Sequence, residues 1–212
     1  MNVGFERIQN LEAFSKVRAI WLESNGIETI EGLDHMTKMR CLYLHQNRIQ
    51  RMQGLLTFSN LAILNLSYNS IKKVEGLENC MELQTVDLSN NKIENITDCE
   101  QLQWLPKLAH LDLKANLIND KDNIVPFVTG LRSIVSIYLL NNPCVRLISG
   151  LRRQLTVAVP TLFYLDDRNI TELERRRVMA FETGGKEAED LVRQEAEVEY
   201  RAKLRCGYEK NK

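Results

Sequence analysis

The chain has 212 residues, with 28 Lys and Arg against 28 Asp and Glu, and 44% of it is hydrophobic. Such a length can bury a real core; it is long for one compact globule and ordinary for an elongated one. The balanced charge excludes a global field drawing the chain to nucleic acid or an anionic membrane. No apolar run approaches ~18 residues, so no helical membrane span is expected and the chain reads as soluble.

The first stretch, "MNVGFERIQNLEAF", mixes charges among its apolar residues and lacks the apolar core of a signal peptide. Within residues 1–16, Ile8, Leu11 and Phe14 are spaced like the second half of a unit that recurs further on. This predicts a helical half-repeat that caps the N-terminal end and shields Val17, Ile20 and Leu22. Cys41, Cys80, Cys99, Cys144 and Cys206 are odd in number and free of C-x-x-C spacing. They are expected to be reduced thiols packed as small hydrophobes.

From Val17 one phrase dominates, Leu-x-x-Leu-x-Leu-x-x-Asn. It begins at Val17, Met39, Leu61, Leu83, Leu108 and Ile134, and ends on Asn25, Asn47, Asn69, Asn91, Asn116 and Asn142. The first three steps between asparagines are 22 residues, and the last two are 25 and 26. Short period-two segments such as Leu42-Tyr43-Leu44 predict strands with aliphatics inward and the middle residue outward. The asparagine amide can donate and accept, so a ladder of them can satisfy backbone groups left open by the turn. The second half of each unit, as in Ile27, Ile30, Gly32, Leu33 and Met36, suits a helical or 3₁₀ turn on the outer side. Pro106 and Pro126 sit in the two longer outer segments, where convex helices are expected. One unit cannot bury its apolar face alone, so stacked neighbours must complete a shared core.

On these six registers the chain resembles the leucine-rich repeat family, in its 22-residue subclass, over Val17 to about Asn142. The resemblance implies an α/β solenoid, right-handed and curved, with a parallel sheet on its concave face and a helical or 3₁₀ convex side. The expected organisation is an N-terminal cap over 1–16, six repeats over 17–142, a C-terminal cap over 143–170 and a charged helical tail over 171–212.

The outward positions can be read directly. One column is Trp21, Tyr43, Asn65, Asp87, Asp112 and Tyr138; the next is Glu23, His45, Ser67, Ser89, Lys114 and Leu140. A third is taken as Ser24, Gln46, Tyr68, Asn90, Ala115 and Asn141. Six strands about 4.8 Å apart give an arc of about 24 Å, room for roughly 16 helical residues and too open for a small-molecule pocket. Trp21, Tyr43 and Tyr68 gather toward one end as candidate partner anchors, with Glu23, His45, Asn65, Asp87, Asp112 and Tyr138 completing the surface. The alternative is that Trp21 and Tyr43 only pack on one another.

No enzyme is visible. Asp87 and Asp112 lie on neighbouring strands, but an acid/base pair needs an enclosed site, and this face is open. His35, His45 and His110 fall in different units without metal-ligand spacing, so no metal and no cofactor is expected. "TGGKEAE" lacks the pattern of a phosphate-binding loop, and Arg175 to Arg177, interleaved with Glu172 and Glu174, read as a solvated helix face.

After the last repeat, "NNPCVRLISGLRRQLTVAVPTLFYLDDRNI" leaves the register but keeps its apolar residues, as a cap would. Thr171 with Glu174 makes a capping box for a helix that Gly184-Gly185 stops. Beyond it runs a charged helix with a thin seam of Ala188, Leu191, Val198 and Ala202, too weak to assert a coiled coil. This junction resembles the leucine-rich-repeat axonemal dynein assembly factors. The matching positions are Asn142-Pro143, Arg152-Arg153, Tyr164-Leu165-Asp166-Asp167-Arg168, Phe181 and Gly184-Gly185, and Asn169-Ile170 departs from that family's Pro-Val. The resemblance implies a non-enzymatic, cytoplasmic role in building dynein arms for a cilium or flagellum, with dynein chains or chaperone machinery as protein partners. A monomer that contacts neither nucleic acid nor membrane directly is expected. A spliceosomal adaptor of the U2 A-prime type, an axonemal dynein light chain and a phosphatase-regulating relative share the repeat and stay open.

Overall fold

A computed structural model describes residues 4–209, with the side chains of 203, 204 and 206–209 left aside. The outermost residues of the expected caps, 1–3 and 210–212, and the Cys206 side chain lie outside the described part. Six three-residue strands follow one another in parallel: β1 Ala19–Trp21, β2 Cys41–Tyr43, β3 Ile63–Asn65, β4 Thr85–Asp87, β5 His110–Asp112 and β6 Ser136–Tyr138. Their register is unbroken, so Trp21, Tyr43, Asn65, Asp87, Asp112 and Tyr138 stand side by side. This is the leucine-rich repeat solenoid. Leu42, Leu64, Val86, Leu111 and Ile137 turn inward from the middle of their strands, and they share one continuous core with Ile27, Ile49, Ile71, Ile93 and Ile118 from the turns.

The asparagines tie each coil to its neighbours. Asn69 Nδ2 donates to Leu44 O of the preceding unit and Leu66 O of its own, both at 3.0 Å, while its Oδ1 accepts from Ile49 N at 2.9 Å. The same three-way contact is made by Asn47, Asn91, Asn116 and Asn142. Asn25 reaches Phe5 N instead, at 2.9 Å, and so anchors the N-terminal segment. The ladder sits at the edge of the apolar core, where water cannot replace a lost partner.

The outer side takes the 3₁₀-turn form, one of the two that the spacing allows. In the 22-residue units it makes single turns, closed by Met36 N to Leu33 O, Phe58 N to Leu55 O and Cys80 N to Leu77 O at 2.9–3.0 Å. At Gly54 (φ 68°) a Cβ would stand 2.3 Å from Ile30 O, so the close approach of this outer turn to the preceding unit requires glycine. The extra residues of the longer units hold a 3₁₀ helix over Ile96–Trp104 and α1 over Ile124–Gly130, with Pro126 in the first turn of α1, where no helical N–H bond is lost.

Both ends correct the reading. Residues 4–16 form bends and turns and no helix; the Asn10 backbone is left-handed at φ 62°, and the segment copies the single outer turn of a short unit. Ile8 is buried, but Val17, Ile20 and Leu22 remain half-buried and Phe14 is exposed, so the shielding is partial. At the other end α2 (Pro143–Leu147) and α3 (Leu151–Ala158) lead into β7 (Tyr164–Leu165), which adds a seventh parallel rung before β8 (Arg168–Asn169) folds back antiparallel. A two-residue antiparallel strand gives the sheet an end that does not invite another coil.

α4 (Glu172–Glu209) is broken by non-helical backbone at Gly184 and Gly185. Thr171 Oγ1 accepts from Glu174 N at 3.1 Å to start it. Arg177 reaches Glu189 at 2.6 Å, and Arg176 reaches Glu195 and Glu199 at 3.6 Å. On a straight helix twelve residues span about 18 Å, so the second arm must fold back along the first. The arginine run is therefore structural and not a solvated face: Arg175 Nη2 donates to Leu162 O at 2.8 Å, and its Nη1 caps Thr156 O. The seam is left uncovered, with Leu191 and Val198 both exposed.

Cap and helix are joined through Arg152, which grips Glu174 with Nε and Nη2 at 2.5 and 2.7 Å and also donates to Asn169 O at 2.8 Å. Beside it Arg153 lies 3.4 Å over the Phe181 ring and donates to Glu182. The hydrogen bond from Arg152 holds the Glu174 carboxyl below its usual value.

Two outcomes are expected. Asn69→Ala leaves the buried Ile49 N–H without its acceptor and should cost about 2–3 kcal/mol in urea denaturation, whereas Asn60→Ala, on an exposed bond to Thr37 O, should stay within about 0.5 kcal/mol. Because the native Glu174 value is depressed, its contribution is complete above the ordinary glutamate value of about 4.3 and fades as pH falls below it. Thermal melts of the wild type and Glu174→Gln should differ near about pH 7 and converge toward about pH 3.

Candidate functional site: the concave face

The unbroken register turns three-residue strands into columns, and the solenoid leaves those columns open. At the β1 edge the Trp21 and Tyr43 rings stack with centroids 5.4 Å apart and planes 6° from parallel. Trp21 nevertheless stays 62% exposed, so the stack presents one aromatic face to its neighbour and the other to solvent. The mutual packing that the sequence allowed is present, and it leaves the Trp21 ring displayed.

The middle of the column is partly engaged in ending the strands. Asn65 Oδ1 accepts from Ser67 N at 3.0 Å and Ser67 Oγ at 2.8 Å, Asp87 Oδ1 accepts from Ser89 N at 2.9 Å, and Asp112 Oδ1 accepts from Lys114 N at 2.8 Å. Burial raises the Asp112 carboxyl to about 6, with the charges of Asp87 and Asp166 adding to the effect and Lys114 opposing it. Asp166 comes from the cap, where its Oδ1 accepts from Leu139 N and Leu140 N at 2.7 and 2.9 Å. The sequence placed it only in the cap motif. The parallel pairing of β7 with β6, Ile137 beside Leu165, sets Asp166 next to Tyr138, and the Leu162-x-x-Leu165 spacing is the sequence signal that could have shown it.

The third outward column is a correction. Ser24, Gln46, Tyr68, Asn90, Ala115 and Asn141 all have positive φ, between 54° and 62°, and are turn residues after the strands. Alternation stops at the second column because the chain must swing sideways toward the buried asparagine. Tyr68 is exposed on this rim at φ 54° and does not join the Trp21–Tyr43 stack.

Glu23 and His45, in the second column, carry the unbalanced chemistry. Glu23 Oε2 and His45 Nδ1 are both buried without a hydrogen-bond partner. Tyr138 is half-buried at the far end, and His110 Nδ1 lies 2.8 Å from Ser136 Oγ. Among the described residues no three His, Cys, Asp or Glu side chains gather as a metal site would require. Cys80, Cys99 and Cys144 are buried free thiols; burial pushes Cys80 and Cys144 up to about 11 and Cys99 further, which keeps them protonated.

Comparison with known proteins agrees with this geometry. The family model described as leucine-rich repeat matches residues 54–196. "Leucine-rich repeat-containing protein ODA7" of Chlamydomonas reinhardtii is 34% identical over 102 residues, covering 48% of this chain and 23% of the relative. Human "Dynein axonemal assembly factor 1" is 37% identical over 107 residues, covering 50% of this chain and 15% of the relative. The chain thus spans less than a quarter of the length of these relatives. Among solved structures, an internalin (inlF) of Listeria monocytogenes superposes with a TM-score of 0.61 at 17% identity, over 82% of this chain and 55% of that one. The Drosophila melanogaster SNF/U2A' complex gives 0.56 at 22% identity, over 91% of this chain and 94% of the matched one. At these identities the structures speak for the fold alone. With the family model covering about two thirds of its residues, the chain belongs to the leucine-rich repeat family.

Proposed function

We propose that this chain is a non-enzymatic interaction scaffold for the preassembly of axonemal dynein arms, acting in the cytoplasm of ciliated or flagellated cells. The reading rests on the names of the two curated relatives and on the resemblance of the cap sequence noted above. The observation that carries the scaffold role is the open concave column, with the Trp21–Tyr43 stack displayed at one end. A rigid curved sheet with exposed aromatics fits an elongated protein segment, dynein chain or chaperone, and offers no enclosure to a small substrate.

Proximity labelling in flagellated cells tests this. The wild type should enrich axonemal dynein chains or chaperones, and Trp21→Ala with Tyr43→Ala should lose them while the purified variant melts within a few degrees of wild type. Enrichment of spliceosomal proteins, or labelling indifferent to the double variant, would overturn the reading.

An interaction face held at a cost in stability should also show its cost directly. The Asp112 carboxyl is raised in the fold, so its ionisation opposes folding; the penalty is complete above about 6 and fades as pH falls toward the ordinary aspartate value. Asp112→Asn, which keeps an acceptor for Lys114 N, should therefore stabilise the protein by about 1–2 kcal/mol near about pH 7.5 and by little near about pH 4. Chemical denaturation at the two pH values checks it.

A further inference from the structure

At each junction between coils, two adjacent backbone N–H groups share one carbonyl of the coil before. Arg40 N and Cys41 N both donate to Arg18 O, at 2.7 and 3.0 Å, and Ala62 N and Ile63 N repeat the contact on Arg40 O. The pattern continues through Gln84 and Thr85, Ala109 and His110, Val135 and Ser136, and Phe163 and Tyr164. The equivalent donors of the first coil are Arg18 N and Ala19 N, and neither finds an acceptor among the described residues. The segment over 4–16 does not supply one. Gly26 N donates to Phe5 O at 2.9 Å, as Arg48 N does to Ile27 O, so that segment joins the stack at the turn after β1 and not beside the strand.

The side chains at this edge are uncovered as well. Phe14 takes the outer-turn position of Met36, Phe58 and Cys80, which are 0% exposed, yet is itself 53% exposed. Val17, Ile20 and Leu22 are half-buried where Met39, Leu42 and Leu44 are fully buried. Between Leu11, Phe14, Val17, Ile20, Trp21 and Met36 lies an apolar recess of about 290 Å³. Accessible backbone donors beside an apolar recess are what an added strand binds.

Charge decides what kind of strand. By the 22-residue offset, Lys16 stands beside Lys38 and Arg18 beside Arg40, at the starts of β1 and β2. In the next two coils those positions hold Asn60 and Ala62, then Glu82 and Gln84. All four cations are exposed, and among the described residues none makes an ion pair. A second copy of the chain would bring the same cations, whereas an acidic segment complements them.

We propose that the open edge of β1 docks an extended segment of another protein, in which acidic residues lead into alternating apolar ones. The segment adds as a parallel rung, and one of its carbonyls accepts from both Arg18 N and Ala19 N. Acidic side chains near that carbonyl meet Lys16, Arg18, Lys38 and Arg40, and the apolar ones after it fill the recess. This surface is the end of the solenoid, so it stands or falls apart from the concave reading.

The test selects a displayed library of random peptides of about ten residues, the upper length of a strand, on the full immobilised chain. Selected sequences should carry Asp or Glu ahead of alternating aliphatic or aromatic residues. With the tightest of them, made synthetically, amide hydrogen exchange at Arg18 and Ala19 should slow. Ala19→Pro removes an outward N–H that carries no bond in the fold, and should weaken binding about tenfold or more. Lys16→Glu with Arg18→Glu, both at exposed positions, should weaken it as much and flatten its salt dependence, with a melting temperature close to wild type. Peptides that leave the Arg18 and Ala19 amides unprotected, or that bind the charge-reversed variant as tightly as the wild type, would overturn the site. A concentration-dependent dimer that Ala19→Pro dissolves would assign the edge to a second copy and overturn the proposed partner.

Discussion

The buried asparagine is the contact on which the rest of the molecule depends. Each one closes its own turn, and those from Asn47 onward also accept from the coil before and donate into it, as Asn69 does with Ile49 N and Leu44 O. The backbone at that corner has no strand partner and no access to water, so without the amide several polar groups would be stranded together. The ladder and the aliphatic core support one another: the core excludes the water that would compete with the amides, and the amides hold the spacing at which the leucines of successive coils meet. Stability in such a stack accrues from neighbour to neighbour and not from a single centre.

A one-dimensional stack is only as sound as its ends, and the two are finished differently. The C-terminal end is elaborate. β7 continues the sheet, β8 reverses it, and Arg152 ties β8, the cap and the first arm of α4 together through Asn169 O and Glu174. The N-terminal end is plain, with Asn25 catching Phe5 N and Ile8 filling the core while Val17, Ile20 and Leu22 stay half-buried. The displayed aromatic stack and the unpaired Glu23 lie beside this plainer end. The part of the face with most to gain from a partner is thus the part the fold itself covers least.

The concave face is an open surface that is nonetheless chemically marked. Asp87 and Asp112 each use one oxygen to end a strand, and burial, with the Asp87 charge adding to it, raises the Asp112 value. Nothing encloses them, so water and partner side chains reach the same region. Repeated carboxylates on a rigid arc supply charge complementarity over a length, which suits recognition of an extended segment better than turnover of a small molecule.

Much of this was legible in the sequence because it is local and periodic. Alternation in Leu42-Tyr43-Leu44 sets which side chain faces in, and a 22-residue step carries that choice from rung to rung, so the register of β1 to β6 could be counted. Alternation has no means of announcing where a strand stops. By alternation alone the left-handed turn at Ser24, Gln46 and Tyr68 therefore looks like one more outward column. The cap was legible mainly as residue identities; that Arg153 would lie over Phe181 and that α4 would fold back at Gly184 and Gly185 are contacts outside any repeat. The sequence by itself determined the repeating coil, since backbone alternation and turn chemistry act over a few residues. Only the tertiary structure decided how the coil ends and where its face is left unsatisfied, because those depend on groups that meet once.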